Sequence, residues 1–266
     1  MPESRRIAAA FHQQAVEYDR HVLVQKRVVA QLAASVAFHL KRAPERILDV
    51  GTGTGALLER LHSCYPDAAL TGVDIALNMC LRARHKLGNN CQVVCGAAEA
   101  LPFRSGAFDL AVSASVLQWV EDLPGALREL RRVVRPGGDI SLAFFCEGSL
   151  GELRHCFGDA VSGGVKTARL HRFWTVDEVK TIVGAMDFEK VVVSVETEVD
   201  WYADVSALLR AIRNIGAGTV SGGAGSGLGW RGVLQETARL YRERYEVNGR
   251  IPATYKVLNL TAAVAA

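Results

Sequence analysis

From Arg46 onward the chain alternates between two hydrophobic patterns. Short apolar runs, "RILDV" (46–50), "ALTGVD" (69–74), "CQVVC" (91–95), "FDLAVS" (108–113) and "DISLAFF" (139–145), predict strands. Between them lie segments of helical character that begin near Gly55, Ala76, Leu117 and Gly125. Such alternation predicts a parallel sheet wound on both faces. "RPGG" (135–138) breaks the last of these helices and turns the chain into the fifth strand. Before Pro44, "AVEYDRHVLVQKRVVAQLAASVAFHL" carries apolar residues at three- and four-residue steps and predicts helix. After Phe145 the rhythm changes. Helices are expected at about 149–158, 175–185, 204–215 and 230–246, around one strand, "KVVVSVETEV" (190–199). "GAGTVSGGAGSGLG" (216–229) is dominated by Gly and Ser and predicts a mobile loop. "ATYKVLNLTAAVA" predicts a last strand that returns to the main sheet. The expected organisation is a helical lid (1–43), a core (44–147), a cap (148–248) and a final core strand (249–266).

Composition narrows the class. A chain of 266 residues, 49% hydrophobic and 22% charged, has the balance of a soluble globular protein with one large α/β core. No apolar run reaches the eighteen residues that a membrane-spanning helix needs. The N-terminal stretch lacks the apolar core of a signal peptide, so none is expected. The six cysteines include no CxxC pair, which favours buried free thiols over a metal site or disulfides and suggests a reducing, cytoplasmic compartment. A net charge of +3 is too small to imply nucleic-acid binding. The arginines are nevertheless clustered: Arg128, Arg131, Arg132 and Arg135 in "LRELRRVVR", and Arg82, Arg84 and Lys86 in "RARHK". Solvated helix faces and docking of an acidic partner both account for them.

The chemistry concentrates in "ILDVGTGTGALLERL" (47–61), a strand, a glycine turn and a helix start. Such a turn lets backbone N–H groups approach a ligand closely. Gly51, Gly53 and Ala56 even satisfy a loose dinucleotide pattern, and Asp74, 23 residues beyond Gly51, can accept hydrogen bonds from ribose hydroxyls. Asp49 breaks the tie with a dinucleotide. A carboxylate two residues before the first glycine would repel a diphosphate, whereas the ammonium of a methionine moiety needs such a group. "GAAEALPFRSGAFDLAVS" (96–113) and "LRELRRVVRPGGDISL" (127–142) complete the pattern, so residues 44–146 resemble a class I S-adenosylmethionine-dependent methyltransferase. The resemblance implies a Rossmann-like α/β fold, with a mainly parallel seven-stranded sheet, helices on both faces and a helical cap insertion. It also implies S-adenosyl-L-methionine as cofactor, S-adenosyl-L-homocysteine as product, and no metal. The cofactor-binding candidates are Asp49, Gly51, Thr52, Gly53, Asp74, Ile75, Met79, Ala97, Ala98, Glu99 and Ser113. One departure stands out. Where the family places an acid to meet the adenine amino group, this chain has Ala97, leaving the Ala98 N–H and Glu99 for that contact.

The flanks point further. "IAAAFHQQAVEYDRHVLVQKRVVAQL", "LQWVEDLPGALRELRRVVRPGG", "EGSLGELRHCF", "HRFWTVDEV", "LRAIRNIGAG" and "GRIPATYKVL" resemble the malonyl-[acyl-carrier protein] O-methyltransferase family of biotin synthesis. What this implies is methylation of the malonyl carboxylate on an acidic carrier protein. The ester then disguises the chain for fatty-acid elongation until it is hydrolysed. A carboxylate is ionised near neutral pH and needs no general base, only positioning. Arg172 in "HRFW" is the candidate clamp for it, with a surface ion pair as the alternative. Tyr18 would close over the methionine end of the cofactor, or else pack in the core. Gln118 and Trp119 follow the fourth strand, at the mouth where acceptors bind in this fold, although Trp119 could equally be packing. His21 and His171 are read as solvated or structural. The expected state is a monomer. Three other functions stay open: a methyltransferase for a quinone precursor or free carboxylic acid, a non-catalytic assembly factor, and a dinucleotide oxidoreductase.

Overall fold

The computed structural model describes residues 9, 11–12, 23–40, 42–161, 171–213 and 228–265. Five parallel strands, β1 (Arg46–Val50), β2 (Ala69–Asp74), β3 (Cys91–Cys95), β4 (Phe108–Ala114) and β5 (Val134–Phe145), are followed by β6 (Phe188–Tyr202) and β7 (Ile251–Val264). They form one seven-stranded sheet in the order β3-β2-β1-β4-β5-β7-β6, in which β7 runs antiparallel to both β5 and β6. This is the seven-stranded, mainly parallel sheet expected from the sequence. Because β2 and β4 lie on opposite sides of β1, the strand order reverses there, and a crevice opens beyond the C-terminal ends of these strands.

β1 shows why the apolar runs became strands. A parallel strand is covered on both faces, so neighbouring residues feed two separate cores. Ile47 joins the core under α1 (Leu23–His39) and α2 (Ala56–Cys64). Leu48 and Val50 join the core on the other face, under α4 (Leu123–Val133) and α6 (Val176–Gly184); α3 (Leu77–Leu87) joins β2 to β3. α5 (Gly151–Val161), α7 (Val205–Ile212) and α8 (Leu228–Tyr245) contribute to the α1 side. Capping sets several boundaries. Asp122 accepts from the Gly125 N–H, so α4 starts at Leu123, before the expected Gly125, and leaves only a 3-10 turn at Leu117–Trp119. Thr175 and Glu178 form a capping box that starts α6.

Two other boundaries moved. β5 begins at Val134 because that residue pairs with Phe108, while the next pair is Leu110 with Asp139; "RPGG" loops out within the strand instead of preceding it. The stretch 216–229 lies outside the described residues except for 228 and 229, which already belong to α8. β6 and β7 both extend the core sheet, so the segment 148–248 contributes a sheet edge as well as helices. Arg27 of α1 ties to that edge through Glu198 at 2.5 Å and Asp200 at 2.7 Å. All six cysteines are unpaired; Cys80, Cys146 and Cys156 are buried, whereas Cys64 and Cys95 are exposed. No helix among the described residues is long and apolar enough to cross a membrane.

Candidate cofactor and acceptor site

The crevice holds a cavity of about 370 Å³, within the range of small-molecule sites. Its floor is the glycine turn after β1. Gly51 and Thr52 donate their N–H groups to the Val73 carbonyl at 2.7 and 3.0 Å, fastening the turn to β2. Gly51 has φ +74°, and a Cβ there would come within 2.8 Å of the Val116 side chain, so only glycine fits. Asp74 accepts from the Gly53 N–H at 2.9 Å and the Ala76 N–H at 2.8 Å, which sets its carboxylate at the β2 end of the cavity. Burial raises its pKa, partly offset by those two donors.

Asp49 is the most telling group. It is 1% exposed, and its Oδ2 has no hydrogen-bond partner among the described residues. Burial pushes its carboxyl up to about 7; the Asp74 charge adds to this, and Thr52 opposes it. An unsatisfied buried acceptor is costly. A ligand cation would satisfy it, whereas a diphosphate would face two carboxylates. These two acceptors therefore fit the ammonium and ribose hydroxyls of S-adenosylmethionine.

Most of the candidates meet in this cavity. Asp49, Gly51, Thr52, Gly53 and Asp74 line it, and so do Ile75, Met79, Ala98, Glu99 and Trp119. Four others do not line it. Ala97 is held in a bridge with Ala100. Ser113 donates its hydroxyl to the Val50 carbonyl at 2.7 Å, behind the turn. Gln118 is buried, its amide donating to the Ser115 carbonyl at 2.7 Å. The Arg172 side chain is 71% exposed, pairs with Glu178 and lies over the Trp174 ring. Tyr18, like His21, lies outside the described residues.

Sequence reading missed the wall that α1 and α2 supply: Gln25, Lys26 and Val29 from one, Ala56, Leu57 and Arg60 from the other. One signal was available. Gln25, only 7% exposed, is a polar residue inside an otherwise apolar helical stripe of Val24, Val28 and Leu32. His171, read as solvated or structural, makes structural contacts. Its Nε2–H donates to the Gln118 carbonyl at 2.7 Å, and its ring lies 4.5 Å from that of Trp119.

Comparison with known proteins matches residues 48–142 to a methyltransferase domain family. Over 262 residues the chain is 42% identical to the malonyl-[acyl-carrier protein] O-methyltransferase of Geobacter sulfurreducens, covering 97% of this chain and 98% of that one. The chain belongs to the malonyl-[acyl-carrier protein] O-methyltransferase family. It is an S-adenosylmethionine-dependent methyltransferase. Members of this family also occur as one part of longer chains: the biotin biosynthesis bifunctional protein BioHC of Saccharophagus degradans is 31% identical over 95% of this chain and 45% of its own length. Among solved structures, the YcgJ protein of Bacillus subtilis shares the fold, with a TM-score of 0.61 at 18% identity over 89% of this chain and 99% of that one.

Proposed function

We propose that the enzyme methylates the free carboxylate of malonyl-[acyl-carrier protein], giving the methyl ester that enters biotin synthesis. The observation that carries this reading is the extent of the 42% identity, which runs through the cap as well as the cofactor core. Bound S-adenosylmethionine supplies an electrophilic methyl group on a sulfonium. The chain's own task is then to hold a carboxylate oxygen in line with that methyl and to keep water out. Asp49 holds the ammonium end, Asp74 the ribose, and the Ile75 and Ala98 walls the adenine. No residue has to remove a proton, because the acceptor arrives ionised. Trp119 forms the acceptor wall and Gln118 braces the turn beneath it; Tyr18, outside the described residues, is the candidate for the methionine end. Arg172 reaches the acceptor carboxylate only by releasing Glu178. A monomer is the working assembly in this reading, and the six unpaired cysteines fit a reducing cytoplasmic setting.

The test is a methyl-transfer assay with malonyl-carrier protein, malonyl-coenzyme A and free malonate in parallel. Mass spectrometry should show one methyl added to the carrier-bound malonyl group. Faster methylation of free malonate than of the carrier-bound form would replace this reading with a small-molecule methyltransferase.

A further inference from the structure

A chain of side chains joins the cap to the acceptor end of the cavity. Arg154 of α5 donates to the His171 carbonyl, and its guanidinium lies 5.3 Å over the Phe173 ring. His171 in turn meets Phe173 edge-on at 5.1 Å, donates Nε2–H to the Gln118 carbonyl at 2.7 Å, and sets its ring against Trp119 with a 42° tilt. From the opposite, N-terminal end of the chain, Phe11 approaches the same indole at 6.2 Å. Phe11 and Trp119 both line the cavity; His171 does not.

Methylation of a carboxylate gives this histidine no proton to remove, and its Nε2–H is committed to a backbone carbonyl. We propose that His171 is a positioning residue that fixes the Trp119 indole as the wall for the methyl acceptor. Its backbone anchor lies on the residue just before Trp119, so one imidazole sets both the turn and the ring attached to it. The indole also packs against the core under α1 and meets Phe11, but among these contacts only His171 joins its ring to the backbone of the turn that carries it. Seating the cap on the β4 turn thereby completes the acceptor subsite, while the cofactor half, built on β1 and β2, stays unchanged.

This inference rests on the acceptor reading above, so its test needs one readout that does not. The enzyme is made with Trp119 as its sole tryptophan (Trp174→Phe, Trp201→Phe, Trp230→Phe), and then with His171→Ala or His171→Phe. In His171→Ala, kcat/KM for malonyl-carrier protein should fall by about ten- to a hundredfold, as for a misplaced reactant, with cofactor Kd unchanged. Acrylamide should reach Trp119 more readily. His171→Phe keeps a flat ring against the indole but loses the donor to the Gln118 carbonyl, so it should restore the shielding of Trp119 more fully than kcat/KM. Unchanged kcat/KM would overturn the proposal. So would loss of activity, cofactor affinity and Tm together, which marks a merely structural residue. If the parent enzyme does not methylate malonyl-carrier protein, the substrate reading fails, and Trp119 accessibility alone decides the role of His171.

Discussion

Asp49 and Asp74 both sit at strand ends, yet their environments differ in kind. Asp74 has two backbone donors, whereas the Asp49 Oδ2 has none among the described residues. A folded-state pKa of about 7 for Asp49 lies above the ordinary carboxylate value, so the folded protein holds this proton more tightly than the unfolded chain. Stability without cofactor should therefore decline as pH rises from about 4 to about 7. Asp49→Asn should raise Tm relative to the parent at pH 8 and leave it unchanged at pH 4. With cofactor the sign reverses. An ammonium partner favours the carboxylate, so affinity should rise with pH through 7, with proton release visible in calorimetry across buffers. In Asp49→Asn that release should disappear, and affinity should drop by about 1.5–3 kcal/mol, the value of a charged hydrogen bond. Asp74→Ala tests the ribose. It should cost cofactor affinity a similar 1.5–3 kcal/mol or so per lost bond, and unchanged binding in calorimetry would remove that role.

At the scale of elements, the arginines of α4 read differently in the structure. Arg132 pairs with Glu129 at 2.6 Å and donates to the Phe103 and Leu101 carbonyls at 2.7 and 3.0 Å. Glu129 also accepts from the Leu101 N–H at 2.7 Å, so the pair clamps the connection from β3 to β4 that carries Ala98 and Glu99. Arg132→Ala should lower stability by about 1–2 kcal/mol, less than a fully buried pair would, and should weaken cofactor binding, seen as lower Tm and higher Kd. No sequence rule shows this, because the clamp joins residues about thirty positions apart. What was legible follows the same logic. Strands β1 to β4 were read nearly to the residue because each is an apolar run cut by glycine, proline or a charge. The cofactor turn was legible because Asp49, the glycines and Asp74 lie on two adjacent strand ends. The early start of β5 depended on Phe108 pairing with Val134, and the cavity wall from α1 depended on how that helix docks. Neither leaves a local trace. Arg172 is a similar case, since its pairing with Glu178 depends on the α6 capping box. Arg172→Lys, which loses the planar fork, should lower methyl transfer while sparing cofactor affinity if Arg172 is the clamp. Full catalytic efficiency in that variant would leave it as a surface ion pair.

Across the whole molecule, the question is how an acidic carrier protein finds the cavity. Arg131 of α4 pairs with Asp187 at 3.0 Å and Arg135, at the start of β5, with Asp109 at 2.6 Å, so this arginine cluster presents less net positive charge than its sequence promises. Lys26 and Arg60 are different. Both are exposed, both line the cavity, and neither has a carboxylate in ion-pair range among the described residues. Cations at the mouth would draw an acidic partner toward the place where its cargo must enter, against the acidic Glu59 and Glu99 that line the same cavity, and salt screens such attraction over about 10 Å at 0.1 M. At saturating cofactor, kcat/KM for malonyl-carrier protein should fall as salt rises, and more steeply than for malonyl-coenzyme A. Arg60→Glu should raise KM for the carrier-bound substrate by about 0.2–1 kcal/mol, the usual value of an exposed pair, and flatten its salt dependence. Arg131→Glu should do less, because Asp187 already offsets that charge. A larger effect at Arg131 than at Arg60 would move the docking face from the cavity mouth back to α4. Equal salt dependence for both acceptors would remove electrostatic docking and leave the methyl-transfer assignment standing.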